Sequence, residues 1–395
     1  MQVVRLTGSV SFDDALALAR EGIVTRDTAS VLIRAEADDQ LGSLLEAARD
    51  LRDRLKGKRV TYSKKVFIPL TNLCRDYCGY CTFRRDPGQP GAKTMMPDEV
   101  LAVAEAGARL GCKEALFSLG DRPEAMFPEM RDALARLGHK TTLSYLAEMC
   151  ERVVNETALL PHANPGLMGR RDLEALRRSN PSMGLMLEST SDRLLSPGMA
   201  HDNAPDKPAA LRLKTIEEAG RLKIPFTTGI LIGIGESLED RVDSLFAIRE
   251  LHERYGHIQE VIIQNFRAKP ETPMCDHPEP SQTDHARTIA VARLVLWDIN
   301  VQAPPNLSDD RYPFLLRAGI NDWGGISPLT PDFINPEKPW PQIDRLSART
   351  AAEGLELVER LSVYPEYVHD NEFIDYKLRL NVRGKADEFG LAAST

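Results

Sequence analysis

The sequence predicts an α/β chain folded as a (β/α)8 TIM-type barrel with additions at both ends. From residue 60 onward, short apolar runs alternate with amphipathic helical patterns at intervals of roughly 35–40 residues. Such alternation implies parallel strands joined by crossover helices, and eight units of this kind close a barrel. The chain has 395 residues, which suits one barrel with terminal extensions. A doubly wound open sheet is the rival architecture.

Taken in order, residues 1–59 read as an N-terminal helical extension. Phe12–Arg20 and Leu41–Leu55 carry helical patterns, and Ser11 is a natural N-cap. The barrel core is assigned to residues 60–330. Its expected strands are Val66–Leu70, Ala115–Leu119, Ala158–His162, Met183–Glu188, Phe226–Ile232, Glu260–Asn265, Ile299–Ala303 and the short run Ala318–Ile320. The helices between them are expected over Pro97–Leu110, Pro123–Leu137 with Thr141–Val154, Arg170–Ser179, Lys207–Leu222, Ser237–Tyr255, Asp284–Trp297 and Asp309–Leu316. Pro97 and Pro123 stand where a first-turn proline is tolerated. Residues 331–395 are rich in proline and then helical over Ile343–Leu361, which reads as a C-terminal capping segment.

Composition narrows the function. The apolar fraction is 42%, enough for a large core, and the formal net charge is -8. Without a basic stripe to neutralise phosphates, neither nucleic acid nor an anionic membrane surface is an expected partner. No apolar run approaches the roughly 20 residues of a membrane span. Met1-Gln2-Val3-Val4-Arg5 leads into a polar segment rather than a signal-peptide core, so a cytoplasmic location is expected.

Six cysteines are spread over this length, too few and too scattered for a disulfide framework. Cys112, Cys150 and Cys275 stand singly and read as small hydrophobes. Cys74, Cys78 and Cys81 instead form a C-x3-C-x2-C cluster directly after the first expected strand, at the mouth of a barrel where active sites are built. Three thiolates in one loop can hold three corners of an iron–sulfur cube and leave the fourth iron open. A structural zinc site or a redox dithiol at Cys78 and Cys81 are the rival readings. Neither has a use for Cys74, and no further His or Cys lies close after Cys81.

The run Cys74-x3-Cys78-x-Tyr80-Cys81 resembles the signature of the radical S-adenosylmethionine (SAM) enzymes, with an aromatic residue before the third cysteine. The resemblance implies one [4Fe–4S] cluster on the three cysteines. SAM would be chelated at the open iron and cleaved to a 5′-deoxyadenosyl radical. Other stretches take the places that family uses for SAM: Leu119, Gly120 and Asp121 after the second strand, and Glu188 at the end of the fourth, with Arg193 beyond it for the methionyl carboxylate. The Gly-rich run around Gly233 would lie against the adenine, as would the sixth strand near Gln264, while Tyr80 borders the cluster. Gly120-Asp121 departs from the common GGE form, so the backbone of Leu119 and Gly120 is the better candidate for contact.

The resemblance narrows to the CofG family, the radical subunits of 7,8-didemethyl-8-hydroxy-5-deazariboflavin synthases. It is carried by Cys74 through Phe83, by Gly319-Ile320-Asn321-Asp322-Trp323-Gly324-Gly325-Ile326-Ser327-Pro328, and by Asn335-Pro336-Glu337-Lys338-Pro339-Trp340-Pro341. It implies a lyase of deazaflavin coenzyme biosynthesis. The radical would abstract hydrogen from 5-amino-5-(4-hydroxybenzyl)-6-(D-ribitylimino)-5,6-dihydrouracil, which cyclises with loss of ammonia. The implied partners are a small-molecule substrate supplied by CofH, with room for a complex with CofH, and an external one-electron donor. A CofH-type enzyme, or another radical SAM enzyme of aromatic or quinone cofactor synthesis, is the alternative. Candidate substrate contacts are Asn164, Asn306, Asn321 and Trp323, the last by stacking; Asp322 and His162 are candidates for proton transfer.

Overall fold

Eight parallel strands close on themselves in a computed structural model that describes residues 10–393. They are β1 (Arg59–Pro69), β2 (Glu114–Ser118), β3 (Leu160–Asn164), β4 (Ser182–Gly184), β5 (Phe226–Ile232), β6 (Ile258–Asn265), β7 (Asn300–Gln302) and β8 (Asp322–Ile326). Each pairs with its successor, and β1 pairs with both β2 and β8. No barrel edge is left open, so the open-sheet rival is excluded.

Strand β5 occupies the residues its apolar run indicated and is buried throughout. β4 is shorter than expected. Its ladder ends at Gly184 and resumes only as a bridge between Glu188 and Ile230, because Glu188 adopts φ +65 and turns the strand. The eighth strand lies at Asp322–Ile326, not at Ala318–Ile320, since Gly319 at φ +99 breaks the backbone there. Its two glycines hide it from a propensity reading. A Cβ on Gly324 would sit 1.9 Å from Gln302 Nε2, and one on Gly325 2.2 Å from Lys65 Cε. Both glycines make room for polar side chains inside the barrel.

The helix expected over Pro123–Leu137 is two helices, Pro123–Met126 and Pro128–Arg136, because Pro128 forces Phe127 into an extended conformation. At the N-terminus there are three helices, Phe12–Arg20, Arg26–Leu32 and Asp38–Lys56, with Ser11 Oγ accepting from Asp14 N. Asp38–Lys56 packs on the barrel helix Gln282–Leu296. Met1–Arg5, on which the leader reading rested, lies outside the described residues. Among the described residues no helix is long and apolar enough to cross a membrane.

The tail differs most from expectation. Its helix stops at Ala352, Gly354 at φ +74 reverses the chain, and a further strand β9 (Glu356–Glu359) follows in place of continued helix to Leu361. β9 pairs in parallel with the N-terminal half of β1. Beyond it, Leu361, Val363, Tyr364, Tyr367 and Ile374 form an apolar cluster with Leu160, the first residue of β3. The tail therefore seals the N-terminal end of the barrel, while residues around Ile334 and Asn335 lie at its mouth.

Candidate active site

The loop after β1 carries the three cysteines into a cavity of about 270 Å³ at the barrel mouth. Backbone bonds sew the loop to the segment after β4: Tyr77 N donates to Asn203 O (3.1 Å) and Gly79 N to Ala200 O (2.8 Å). Arg75 forks onto the buried Asp206, whose own N–H donates to Asp76 Oδ1 (3.0 Å). Gly120 closes the other side, donating to Thr71 O (2.9 Å). A Cβ there would stand 2.0 Å from Leu73 O and 2.6 Å from Cys74 Cβ, so only glycine lets the β2 loop approach the cysteines.

All three thiols are free and line the one cavity. Cys74 Sγ accepts backbone N–H groups from Asp121 (3.2 Å) and Asp76 (3.4 Å), the bonding that thiolates of metal sites receive. Burial, reinforced by the Asp76 charge, pushes the Cys74 thiol up to about 12. Such a group becomes a thiolate readily only when a metal takes the place of its proton. The donor set of three soft sulfurs confined to one cavity, one of them hydrogen-bonded by the backbone, fits an iron–sulfur cluster.

Glu188 anchors the opposite wall. Tyr80 Oη donates to its carboxylate, Lys207 Nζ reaches Oε1 at 2.5 Å, and His201 Nε2 lies 2.9 Å from Oε2. Burial opposes ionisation of Glu188, but Lys207, His201 and Arg212 together hold it well below the usual carboxylate range. Arg212 also donates to Met186 O (2.6 Å), fixing the turn that presents Glu188.

A second cavity of about 200 Å³ continues into the barrel interior. Ser118, Asn164, Gln264, Ile334 and Asn335 line both. Phe67 and Trp340 stack at 5.2 Å on its wall. His162 also lines it, with Nδ1 2.8 Å from Ser182 Oγ. Burial depresses His162 to about 4, so the ring is neutral at physiological pH. Since the folded value lies below the ordinary 6.5, the stability linked to this ring is present above pH 6.5 and lost as pH falls toward 4. The loss is about 3 kcal/mol. A series of denaturation midpoints across that window is expected to fall less steeply for His162→Gln than for the parent; equal slopes would show that the ring does not titrate there.

Several expected site residues lie elsewhere. Arg193 is largely exposed and donates to Gly235 O (2.8 Å), away from the cavity; the arginine that lines the cavity is Arg212, one helix later. Gly233, at φ +88, turns β5 away from the cavity, and Leu231 forms the wall instead. Trp323 points outward, because side chains alternate along a strand and its neighbours Asp322 and Gly324 face the barrel interior. Its indole donates to Thr350 Oγ1 (3.1 Å) and its ring meets Tyr312 edge-on, so it cannot stack on a ligand. Asn321 is held by Arg293, Val301 N and Asn300 beneath the barrel wall. Asn306 ties down the mouth segment through Asp332 and Lys338 O. Asp322 is fully buried in a fork with Arg360 (2.6 and 3.0 Å) and lines neither cavity. Tyr80, Leu119, Gly120, Asp121, Glu188 and Gln264 line the cysteine cavity. Asn164 and His162 line the inner one.

Residues 68–248 match the Radical SAM superfamily model. The 7,8-didemethyl-8-hydroxy-5-deazariboflavin synthase of Methanopyrus kandleri is 52% identical over 309 residues, which are 78% of this chain and 92% of that protein. The chain belongs to the 7,8-didemethyl-8-hydroxy-5-deazariboflavin synthase family of radical SAM proteins. As a member of this synthase family it binds a [4Fe–4S] cluster and SAM, which Cys74, Cys78 and Cys81 are placed to receive. Two longer synthases are also similar. The FO synthase of Mycobacterium tuberculosis is 48% identical over 387 residues, covering 93% of this chain. That of Streptomyces avermitilis is 50% identical over 386 residues, covering 94%. The chain spans 45% of the length of each. Among solved structures, the [FeFe]-hydrogenase maturase HydG superposes with a TM-score of 0.75 at 16% identity, over 96% of this chain and 82% of that one. Methylornithine synthase PylB gives 0.67 at 20% identity, over 87% and 97%. These two likenesses concern the fold alone.

Proposed function

We propose that this chain is the deazaflavin-forming lyase of its family. It would act on 5-amino-5-(4-hydroxybenzyl)-6-(D-ribitylimino)-5,6-dihydrouracil, removing hydrogen, closing the central ring and releasing ammonia to give 7,8-didemethyl-8-hydroxy-5-deazariboflavin. The observation that carries this reading is the pair of joined cavities: a cysteine-lined one at the mouth opens into a polar interior large enough for part of an organic substrate. Identity of 52% across nearly all of a named synthase supports it.

When bound, the cluster and SAM supply one-electron chemistry and the carbon radical that removes a substrate hydrogen. The chain's own residues hold and orient. Arg212 suits the methionyl carboxylate, as a guanidinium in a nearly dry wall. The backbone of Leu119 and Gly120 and the Asp121 carboxyl face the methionyl end, and Gln264 the nucleoside end. Tyr80, Glu188 and Lys207 form a rigid network between the cysteine loop and the β4 turn, so the reacting groups are held rather than gathered. Ile334 and Asn335 line both cavities where they meet, and with a ligand bound would narrow the access of water to it. The substrate would come from a CofH-type activity, on a separate chain or within a longer one, and the priming electron from an external donor.

Anaerobically reconstituted protein given the adduct, SAM and a reductant is expected to release 5′-deoxyadenosine together with a fluorescent deazaflavin. Formation of 5′-deoxyadenosine without deazaflavin would overturn this reading in favour of a different radical reaction.

A further inference from the structure

Alternation along the strands sorts the inner cavity into layers. On β2 the inward residues are Glu114, Leu116 and Ser118, and on β6 Glu260, Ile262 and Gln264. Each strand thus reads charged, apolar, polar from the bottom upward. The interior of such a barrel is ordinarily filled by branched apolar side chains. Here the bottom layer is ionic. Lys65 Nζ pairs with Glu114 (2.7 Å), and Arg360 Nη2 with Glu260 (3.2 Å). Buried pairs of this kind add little to stability, which leaves their chemistry as the reason for the layer.

The layer offers donors and acceptors together. Ser182 Oγ donates to Ser362 O (2.6 Å), so it must accept from His162 Nδ1–H. That fixes the neutral tautomer and leaves the Nε2 lone pair free. Nε2 lies beside Gly184, where a Cβ would come within 3.1 Å of it. Ser362, supplied by the tail and 1% exposed, also lines the cavity, and its Oγ has no hydrogen-bond partner. Two cations, Lys65 and Arg360, face three carboxylates, Glu114, Glu260 and Asp322. An anionic ligand group is therefore disfavoured, whereas a neutral chain of hydroxyls, each both donor and acceptor, matches the mixture.

We propose that this floor, formed in part by Ser362 of the C-terminal segment, is a subsite for the neutral polyol arm of the substrate. The ring system then sits against Leu116, Ile262 and Phe67, and the reacting carbon at the wall shared with the cysteine cavity. The inference rests on the deazaflavin reading above.

Calorimetric titration of the reconstituted protein tests it with two ligands, the ribityl deazaflavin product and its counterpart bearing methyl in place of the ribityl arm. The ribityl compound is expected to bind at least about tenfold more tightly, as two or more added hydrogen bonds require. Ser362→Ala is expected to weaken the ribityl ligand by about three- to tenfold and leave the methyl ligand unchanged. Ser362→Leu, which fills the floor, is expected to abolish the preference. If that variant does not fold, Ser362→Ala decides alone. Equal affinity of the two ligands for the parent protein, or equal weakening of both by Ser362→Ala, overturns the subsite. The two readings fail separately: absence of turnover with the adduct removes the lyase function, while turnover without a ribityl preference removes only the subsite.

Discussion

Cys74→Ala, Cys78→Ala and Cys81→Ala are each expected to abolish 5′-deoxyadenosine formation and to strip most of the iron–sulfide absorption. Cys112→Ala, Cys150→Ala and Cys275→Ala are expected to retain both. Each of the first three removes one of three sulfurs that line a single cavity, and no other cysteine lines it. With two protein thiolates left, one more corner of the cluster would be open to water and oxidation. Cys112 and Cys150 are buried in the apolar core, where loss of a sulfur leaves a small void worth about 1 kcal/mol. Cys275 is exposed. Iron analysis, the visible spectrum and 5′-deoxyadenosine on all six variants read this out. Loss of cluster from any of the second three would mean that the ligand set is wrong.

The second large effect is expected at Arg360, far from the cysteines in sequence. Its guanidinium forks onto Asp322 (2.6 and 3.0 Å), reaches Glu260 (3.2 Å) and Leu361 O (3.0 Å), and lies 4.1 Å from the Tyr364 ring centroid. Burial, partly offset by Arg360 and added to by the Asp322 charge, already lifts Glu260 to about 7. Arg360→Met strands two carboxylates in a dry interior and is expected to cost about 3–5 kcal/mol, with a matching fall in Tm. Asp322→Asn added to Arg360→Met removes one stranded charge and is expected to restore part of that loss, a coupling of about 0.5–3 kcal/mol in a double-mutant cycle. An Arg360→Met variant as stable as the parent would show that the buried charges are solvated by some other route.

Local chemistry was legible in the sequence and assembled chemistry was not. The cysteine spacing and the buried run Phe226–Ile232 are complete within a few residues, so pattern sufficed for both. The N-terminal half of β1, Arg59–Lys65, is mostly polar, so no apolar run announces it; it is a strand because β8 and β9 flank it. Arg193 was the nearest cation to the expected site by sequence. Arg212 reaches it in space, and one signal for it was available: it falls on the buried stripe of the helix Ala209–Arg221 with Ile216 and Ala219. The ionic floor draws on β1, β2, β3, β6, β8 and the tail, and no single stretch announces such a set.

The pairing of β9 with β1 has a consequence for biogenesis. Tyr62 is matched to Glu359 and Lys64 to Ile326, so the strand that presents the cysteines acquires partners more than 250 residues later in the sequence. The thiols precede β8 by about 240 residues, so during synthesis the barrel around them cannot close until Ile326 has left the ribosome, and β9 joins β1 only after that. The enclosed site is thereby completed only once β8 has been made, and until then the three thiols depend on their surroundings to stay reduced.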